Sequence, residues 1–173
     1  MRWIAFVPLA ALVALIAVAV FLLTSNAERE QFTQGMVGQP APSYALARLD
    51  SGELLTSDDM RGRAYVMNLF ASWCTPCRAE HPQLMAMRRR GVEIIGVAYK
   101  DRREASIAFL VELGDPFSDV GMDPEGRLGL ELGVTGVPET FVIGPDGVIR
   151  AAYRGPVTDE AIEEVILPAL RAP

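Results

Sequence analysis

Residues 72–82, SWCTPCRAEHP, hold both cysteines of the chain, Cys74 and Cys77, and its only histidine, His81. Two cysteines with two residues between them fit a structural disulfide, half of a metal site or a redox centre. A structural disulfide stabilises mainly by closing a long loop, and a bridge across two residues closes almost none. A structural zinc site needs four ligands; two cysteines and one histidine supply three, and an aspartate or glutamate would have to complete the site. The spacing therefore favours a reversible dithiol–disulfide centre without a metal.

Two elements must position this motif, a strand before it and a helix within it. Residues 64–71, AYVMNLFA, form a nearly continuous apolar run, which is typical of a strand buried on both faces. Residues 74–90 have a helical pattern that Gly91 ends, and residues 92–98, VEIIGVA, form a second buried strand. Strand, helix and strand in this order predict a βαβ unit with parallel strands.

The helix start would give the two cysteines different roles. At that position the free backbone N–H groups and the helix dipole favour a thiolate over a thiol on Cys74. A lowered pKa makes Cys74 a nucleophile near neutral pH. Cys77 lies one turn later, where it can attack a mixed disulfide and release the partner. We therefore predict an exposed, attacking Cys74 and a buried, resolving Cys77.

The rest of the pattern predicts a mixed α/β domain around the motif. Turn signals at residues 50–52, DSG, and 144–147, GPDG, predict two β-hairpins, over residues 44–56 and 139–152. Further elements are expected in chain order: a helix over residues 101–113 with Ile107, Leu110 and Val111 on its apolar face, a short strand over 117–120, a short helix over 126–132 and a last helix that begins at Thr158.

The N-terminal segment differs from the rest of the chain, because residues 3–23 contain no charged side chain. As a helix this run would span roughly 31 Å at about 1.5 Å per residue, close to the hydrocarbon thickness of a bilayer. We therefore predict a transmembrane anchor over residues 1–24, a polar linker over 25–43 and the folded domain over 44–173. A cleavable signal peptide has a shorter apolar core, although the small residues at 25–27 leave cleavage open.

Charge and topology bound the compartment and the partners. Outside the apolar run and Arg2 the chain has 15 basic and 22 acidic residues, a balance of −7 within a total of −6. This balance argues against nucleic-acid binding and fits a domain that tolerates or prefers basic partners. Arg2 and the N-terminal amine favour an N-terminus on the inner side of the membrane. The domain would then lie on the outer side, where a disulfide persists.

Three stretches carry a resemblance to a known family. Residues 73–77, WCTPC, after an apolar strand resemble the motif of the thioredoxin fold, and residues 136–138, GVP, resemble its cis-proline loop. Pro82 matches the proline that kinks the active-site helix. More finely, WCTPCRAEHP, AYKDRREASIAFLVELGDPF and GVPETFVIGPDGVIR are similar to the membrane-anchored thioredoxins of cytochrome c maturation, the CcmG/DsbE group. The resemblance covers most of residues 37–170.

The resemblance implies a thioredoxin fold with an N-terminal β-hairpin extension and a helix-containing insertion, behind one N-terminal transmembrane helix. It implies a thiol:disulfide oxidoreductase, without a cofactor, that keeps the cysteines of an apocytochrome c CxxCH segment reduced before haem attachment. Implied partners are a membrane thiol–disulfide electron donor and other components of cytochrome c maturation. The implied location is the inner (cytoplasmic) membrane, as a single-pass protein with its C-terminal domain on the periplasmic side.

Other functions stay open from the residues alone. A general extracytoplasmic thiol reductant would use the same two cysteines, and a non-catalytic module could hold apocytochrome c or haem. Residues 37–42, VGQPAP, are similar to the start of peroxiredoxins, but the Pro- and Thr-rich loop with a peroxidatic cysteine is missing from the sequence. Dithiols of this kind have potentials from about −270 to −120 mV, so the direction of electron flow comes from the resemblance.

The resemblance also singles out three residues for proton transfer or redox tuning. Asn68 stands where ordinary thioredoxins have a buried acid, Glu80 follows Cys77 by three residues, and Glu139 follows Pro138. A carboxylate in a partly apolar groove has a raised pKa and can shuttle protons. We expect both glutamates near the cysteine pair; the alternative is that they are solvated surface charges. Asn68 is either a tuning residue or a satisfied buried amide.

The substrate would dock beside the motif. Val137 and Pro138 are the expected docking edge, where an extended chain pairs with the protein backbone. We predict a cis peptide bond between them and a loop that passes close to the sulfur of Cys74. Trp73 would shield Cys74 or contact a partner, with ordinary packing as the alternative.

Overall fold

The structure of the protein is a computed structural model that describes residues 14–18 and 35–172. Residues 14–18 are helical. No helix within these two ranges is long and apolar enough to cross a membrane. The predicted anchor over residues 1–24 lies outside the described residues except for 14–18, and the predicted linker over 25–43 is described from residue 35.

Seven strands of the folded domain form one sheet. The strands are β1 Ala45–Arg48, β2 Leu54–Thr56, β3 Tyr65–Phe70, β4 Ile94–Tyr99, β5 Asp119–Asp123, β6 Glu139–Ile143 and β7 Ile149–Arg154. Their spatial order is β2-β1-β5-β4-β3-β6-β7. The β3–β4 and β4–β5 pairs are parallel, and the other neighbouring pairs are antiparallel. The predicted βαβ unit and both predicted hairpins are confirmed.

Four helices pack against the sheet. They are α1 Thr75–Arg89, α2 Arg103–Leu113, α3 Arg127–Glu131 and a C-terminal helix, α4. Helix α4 consists of three consecutive parts: Asp159–Ala161, a π-helical turn Ile162–Ile166 and Leu167–Leu170. A short 3-10 helix, Ser57–Met60, follows β2. The α4 start is capped as predicted, because the Thr158 hydroxyl accepts a hydrogen bond of 3.1 Å from the Ala161 N–H. The α2–β5–α3 segment lies between β4 and β6, and the β1–β2 hairpin extends the sheet beside β5.

The central strand β3 sends alternate side chains into two separate hydrophobic clusters. Val66 and Phe70 join the cluster under α1, α2 and α4, which includes both cysteines. Met67 and Leu69 join the cluster under α3. We call these two sides of the sheet the α1 face and the α3 face. All six residues of β3 are buried, as the apolar run predicted.

The inward side of α2 differs from the predicted one. Of the three expected core positions only Leu110 is buried, whereas Ile107 is 42% and Val111 80% exposed. The ring of Phe109 packs against Phe70 with 5.7 Å between centroids, and this contact fixes which side of α2 turns toward the sheet. The prediction was wrong because the i, i+3, i+4 spacing of the expected positions fits more than one side of the helix, and the structure buries Ser106, Phe109 and Leu110 instead.

The described end of the predicted linker is hydrogen-bonded to the domain. The Gly38 N–H donates to the Ile149 carbonyl at 2.8 Å, and the Ile149 N–H donates to the Gln39 carbonyl at 3.0 Å. Two residues further on, the Ala41 N–H donates to the Gly147 carbonyl at 2.9 Å. Residues 38–41 therefore run beside the start of the edge strand β7.

Candidate active site

The two cysteines lie where β3 ends and α1 begins, and they form a disulfide bond with each other. Cys74 is the N-cap residue of α1, and its sulfur accepts a hydrogen bond of 3.1 Å from the Cys77 N–H. Pro76 occupies the first turn, where its missing N–H leaves no helical hydrogen bond unmade. The Cys77 N–H at this helix start points toward the Cys74 sulfur, which is a geometry that stabilises a thiolate.

Cys74 is less accessible than the sequence suggested. It is 4% exposed and Cys77 is 1% exposed, so the prediction of an exposed Cys74 is wrong for the disulfide form. The Val137 carbonyl oxygen lies 3.4 Å from the Cys74 sulfur, and the bond to Cys77 turns that sulfur toward the helix. Both contacts cover Cys74, whereas burial of Cys77 agrees with the prediction.

The predicted docking loop does reach the motif. The Val137–Pro138 peptide bond is cis, as predicted, and the loop passes within contact distance of the Cys74 sulfur. The Pro138 carbonyl accepts a hydrogen bond of 3.0 Å from the Gly155 N–H at the end of β7. Trp73 is 59% exposed beside the motif, and its indole N–H donates to the Lys100 carbonyl at 3.2 Å.

Glu80 is a buried acid on α1. Its Oε2 accepts a hydrogen bond of 2.7 Å from the Val157 N–H, and its Oε1 accepts one of 2.9 Å from the Asn68 amide. Burial raises the pKa of Glu80 to about 7, while the hydrogen bonds from Val157 and Asn68 oppose part of that rise. A carboxyl group with such a pKa exchanges its proton near neutral pH.

Asn68 lies fully buried on β3, beneath Glu80. Its Nδ2 donates both to Glu80 and, at 3.0 Å, to the Thr140 hydroxyl. Its Oδ1 has no hydrogen-bond partner among the described residues. The amide is therefore only half satisfied, which leaves an acceptor beside a carboxyl group that can carry a proton.

Glu139 is also buried, but it lies on the opposite side of the sheet. It stands opposite Leu69 in the β3–β6 register, and cross-strand partners share a face, so its side chain is on the α3 face. Its Oε1 accepts from Arg154 Nε at 3.0 Å and from the Thr135 N–H at 3.3 Å. Burial raises the pKa of Glu139, and Arg154 opposes the rise.

The structure thus places Cys74, Cys77, Glu80 and Asn68 on the α1 face and Glu139 on the α3 face. Glu80 and Glu139 are each 1% exposed, so the alternative of solvated surface charges is wrong for both. Within the described ranges no group of three or more histidine, cysteine or acidic residues is arranged to hold a metal ion.

One residue near the motif was missed by the sequence analysis, which placed Asp101 merely at the start of a helix. Its carboxylate instead accepts hydrogen bonds from the Ser72 N–H and hydroxyl, at 2.7 and 2.9 Å. Asp101 follows β4, and the carboxyl ends of the parallel strands β3 and β4 meet at one edge of the sheet. An acid directly after the second strand of the βαβ unit was the signal that could have found it.

The comparisons with known proteins agree with this site. A family model described as Redoxin matches residues 36–166. The chain is similar to the thiol:disulfide interchange protein HelX of Rhodobacter capsulatus, with 37% identity over 166 residues, 95% of this chain and 94% of HelX. It is similar to the thiol:disulfide interchange protein DsbE of Escherichia coli, with 37% identity over 172 residues, 96% of this chain and 93% of DsbE.

A solved structure extends the similarity to the fold. The crystal structure of a Chlorobium tepidum protein assigned as a thiol:disulfide interchange protein DsbE matches with a TM-score of 0.69 and 28% identity. The match covers 78% of this chain and 97% of the other one.

Proposed function

Because this chain belongs to the Redoxin family and to its thiol:disulfide interchange proteins of the DsbE and HelX type, we propose that it reduces the CxxCH cysteines of apocytochrome c before haem attachment. The chain is a dithiol oxidoreductase with a thioredoxin-like α/β fold, so the family, fold and reaction class inferred from the sequence are confirmed. The observation that carries the proposal is the Cys74–Cys77 disulfide at the start of α1, beside the Val137 carbonyl.

The proposed reaction moves two electrons in two exchange steps. In the reduced protein the Cys74 thiolate attacks one sulfur of the substrate disulfide, forms a mixed disulfide and expels the other substrate sulfur as a thiolate. Cys77 then loses its proton and attacks the Cys74 sulfur, which forms the Cys74–Cys77 bond and releases the second substrate thiolate. Both substrate thiolates take up protons. The protein ends in its disulfide form, and a membrane thiol–disulfide donor would reduce it again.

The substrate would dock at the loop of Val137 and Pro138. Its backbone at Val137 lies within contact distance of the Cys74 sulfur, so an extended chain paired there would present its own sulfur to Cys74. Pro138 lacks an N–H and its carbonyl is already bonded to Gly155, which leaves Val137 as the pairing residue of this edge. The exposed ring of Trp73 offers apolar contact area on the other side of Cys74.

Glu80 would accept the proton that Cys77 loses, since its pKa of about 7 lets it take up and release a proton near neutral pH. Asn68 would serve both forms of this acid. Its Nδ2 donates to the carboxylate, and a half-turn of the amide would present Oδ1 to the protonated acid. This gives Asn68 a tuning role at the place where ordinary thioredoxins have a buried acid.

Glu139 would act indirectly, by tuning the docking loop. It holds the loop through the Thr135 N–H and holds β7 through Arg154. Thr135 lies two residues before Val137, and Arg154 is the cross-strand partner of Glu139 on β7. Loss of Glu139 would therefore alter substrate docking more than proton transfer.

The proposal includes a membrane anchor and a location for the folded domain. Residues 1–24 would anchor the chain in the inner membrane and place the domain on the periplasmic side, where oxidised cysteines form. Fractionation of the full chain, with and without residues 1–24, tests this point. Recovery of both forms in the soluble fraction would contradict the anchor.

The test of function is electron transfer from the reduced protein to an oxidised peptide with one CxxCH segment. The control peptide has the same composition but carries its histidine elsewhere. We expect faster reduction of the CxxCH peptide, loss of transfer in Cys74→Ser, and a trapped mixed disulfide in Cys77→Ser. Equal reduction of both peptides would indicate a general thiol reductant. Retained function in Cys74→Ser would indicate a module that only binds.

A further inference from the structure

Asp101 is buried at the end of β4, and its carboxylate accepts four hydrogen bonds. Oδ2 accepts from the Ser72 N–H at 2.7 Å and from the Ser106 hydroxyl at 2.8 Å. Oδ1 accepts from the Ser72 hydroxyl at 2.9 Å and from the Arg102 N–H at 2.8 Å. The carboxylate therefore ties the segment before Cys74 to the start of α2.

Lys100, the residue before Asp101, also makes a hydrogen bond to the segment before Cys74. The Lys100 carbonyl accepts the hydrogen bond from the Trp73 indole, and the Lys100 N–H donates to the Asp123 carbonyl of β5 at 2.9 Å. Lys100 has a φ of 48°, in the left-handed region, and is the one residue other than glycine with a positive φ in the described ranges. The chain turns sharply here, which points both groups at residues 72 and 73.

The hydrogen bonds of Ser72 to Asp101 and of Trp73 to Lys100 lie directly before Cys74, the attacking cysteine. The Cys74 N–H donates to the Ala71 carbonyl at 3.1 Å, so residues 71–74 form one tight turn between β3 and α1. In the disulfide form the bond to Cys77 also holds Cys74 in place. In the dithiol form and in a mixed disulfide that bond is absent, so the contacts to Ser72 and Trp73 would be left to hold the turn.

The geometry points to Asp101 as a positioning residue for thiol exchange, which holds the Cys74 turn through Ser72 while the disulfide is open. The inference rests on the attack by Cys74 proposed above. Disulfide exchange needs the attacking sulfur in line with the sulfur–sulfur bond, and a shift of about 1 Å in such a geometry costs up to about 100-fold in rate. A buried carboxylate that accepts both hydrogen-bonding groups of Ser72 limits such a shift.

Two serines allow a matched test, because each donates one hydroxyl hydrogen bond to the same carboxylate. Ser72→Ala removes the bond that leads to Cys74, and Ser106→Ala removes the bond that leads into α2. Neither change alters the charge of the site. Asp101→Asn is the stronger variant, since the amide nitrogen replaces one of the two oxygens and then faces a backbone N–H donor, that of Ser72 or that of Arg102.

The measurement is the rate at which each fully reduced protein reacts with a small aromatic disulfide, above the pH at which Cys74 is fully ionised. There the rate reports the position of the sulfur instead of its charge. We expect Ser72→Ala to be slower than wild type by about fivefold and Asp101→Asn by about tenfold or more, with Ser106→Ala within about twofold. Melting temperatures of the three variants show how much of each effect is loss of stability.

The outcomes separate the positioning role from the proposed attack. If Ser72→Ala and Ser106→Ala react equally fast, Asp101 only stabilises the fold and the inference is wrong. If peptide mapping of wild type shows that Cys77 reacts before Cys74, the proposed attack by Cys74 fails instead. Should Asp101→Asn not fold, the two serine variants still decide the question.

Discussion

The α1 face and the α3 face of the sheet each bury one glutamate, and the two carboxylates have partners of different charge. On the α1 face Glu80 receives hydrogen bonds from an amide and a backbone N–H, both uncharged. On the α3 face Glu139 pairs with the guanidinium of Arg154. Burial alone does not make a proton carrier. With neutral donors the pKa of Glu80 rises to about 7, whereas Arg154 opposes the rise that burial causes in the pKa of Glu139.

The largest expected effect comes from removal of the cation on the α3 face. Arg154→Met leaves Glu139 buried without its ion-pair partner, which we expect to cost about 3–5 kcal/mol of the free energy of unfolding at pH 7.5. At pH 5 the cost should shrink, because protonated Glu139 no longer needs the cation. Urea unfolding at the two pH values measures both losses.

A matched variant controls for the loss of an arginine. Arg150→Met removes the partner of Asp146, whose side chain is 51% exposed against 1% for Glu139, and should cost less than about 1 kcal/mol. Equal losses in the two variants would contradict a difference between the buried and the exposed carboxylate.

The second effect is the pH dependence of stability that the titration of Glu80 should produce. The folded-state pKa of about 7 lies above the ordinary value of 4.5, so between these pH values the folded protein binds more protons than the unfolded chain. Stability from this group is therefore greatest below about pH 4.5 and falls as pH rises to about 7. The pKa difference corresponds to roughly 3 kcal/mol.

Glu80→Gln keeps the shape of the side chain and removes its titration. We expect the stability difference between the variant and wild type to change by that amount from pH 4.5 to pH 7.5, in favour of the variant at the higher pH. Other titrating groups are present in both proteins and cancel in the difference. Parallel stability profiles would show that Glu80 has an ordinary pKa.

The third effect concerns the reaction itself. Glu80→Gln should slow disulfide exchange about tenfold near pH 7 and flatten its pH dependence, because the acceptor of the Cys77 proton is lost. Glu139→Gln should change the rate about twofold, and the double variant should resemble Glu80→Gln. Exchange rates measured from pH 5 to pH 9 test this order. A larger effect of Glu139→Gln would move the proton route to the α3 face.

The smallest expected effect tests the role of the buried Asn68 amide. Thr140→Val keeps the shape but removes one acceptor from Asn68, which should cost about 1 kcal/mol of stability. The pH dependence of exchange should stay almost unchanged, since the hydrogen bond from Asn68 to Glu80 remains. A large shift of the pH profile would mean that Thr140 belongs to the proton route.

The sequence predicted those features that depend on local pattern. The apolar run before the motif and the cysteine spacing fix β3, α1 and the place of Cys74, since strand burial and helix capping are local effects. The cis peptide bond between Val137 and Pro138 was predicted because residues 136–138 resemble the cis-proline loop of the thioredoxin fold. Glu80 was found because it shares a helix with Cys77, three residues away.

Features that depend on register or on tertiary contacts were not predictable in this way. The face on which Glu139 lies depends on its pairing with Leu69, and a shift of one residue would send the side chain to the other face. The inward side of α2 follows from the contact of Phe109 with Phe70, which lies far away in the chain. The support of Ser72 by Asp101 likewise exists only once β3 and β4 are paired.

The backbone pairing of residues 38–41 with β7 has a consequence for solubility. An open strand at the edge of a sheet is a template for another chain and promotes aggregation. Here Pro40 pairs with Val148 next to β7, and a proline offers no N–H to a newcomer. At the other edge β2 has three residues, too few for a stable foreign pairing. The start of β7 and the short β2 therefore offer a foreign chain little to pair with, which leaves fewer edges to compete with the substrate pairing proposed at Val137.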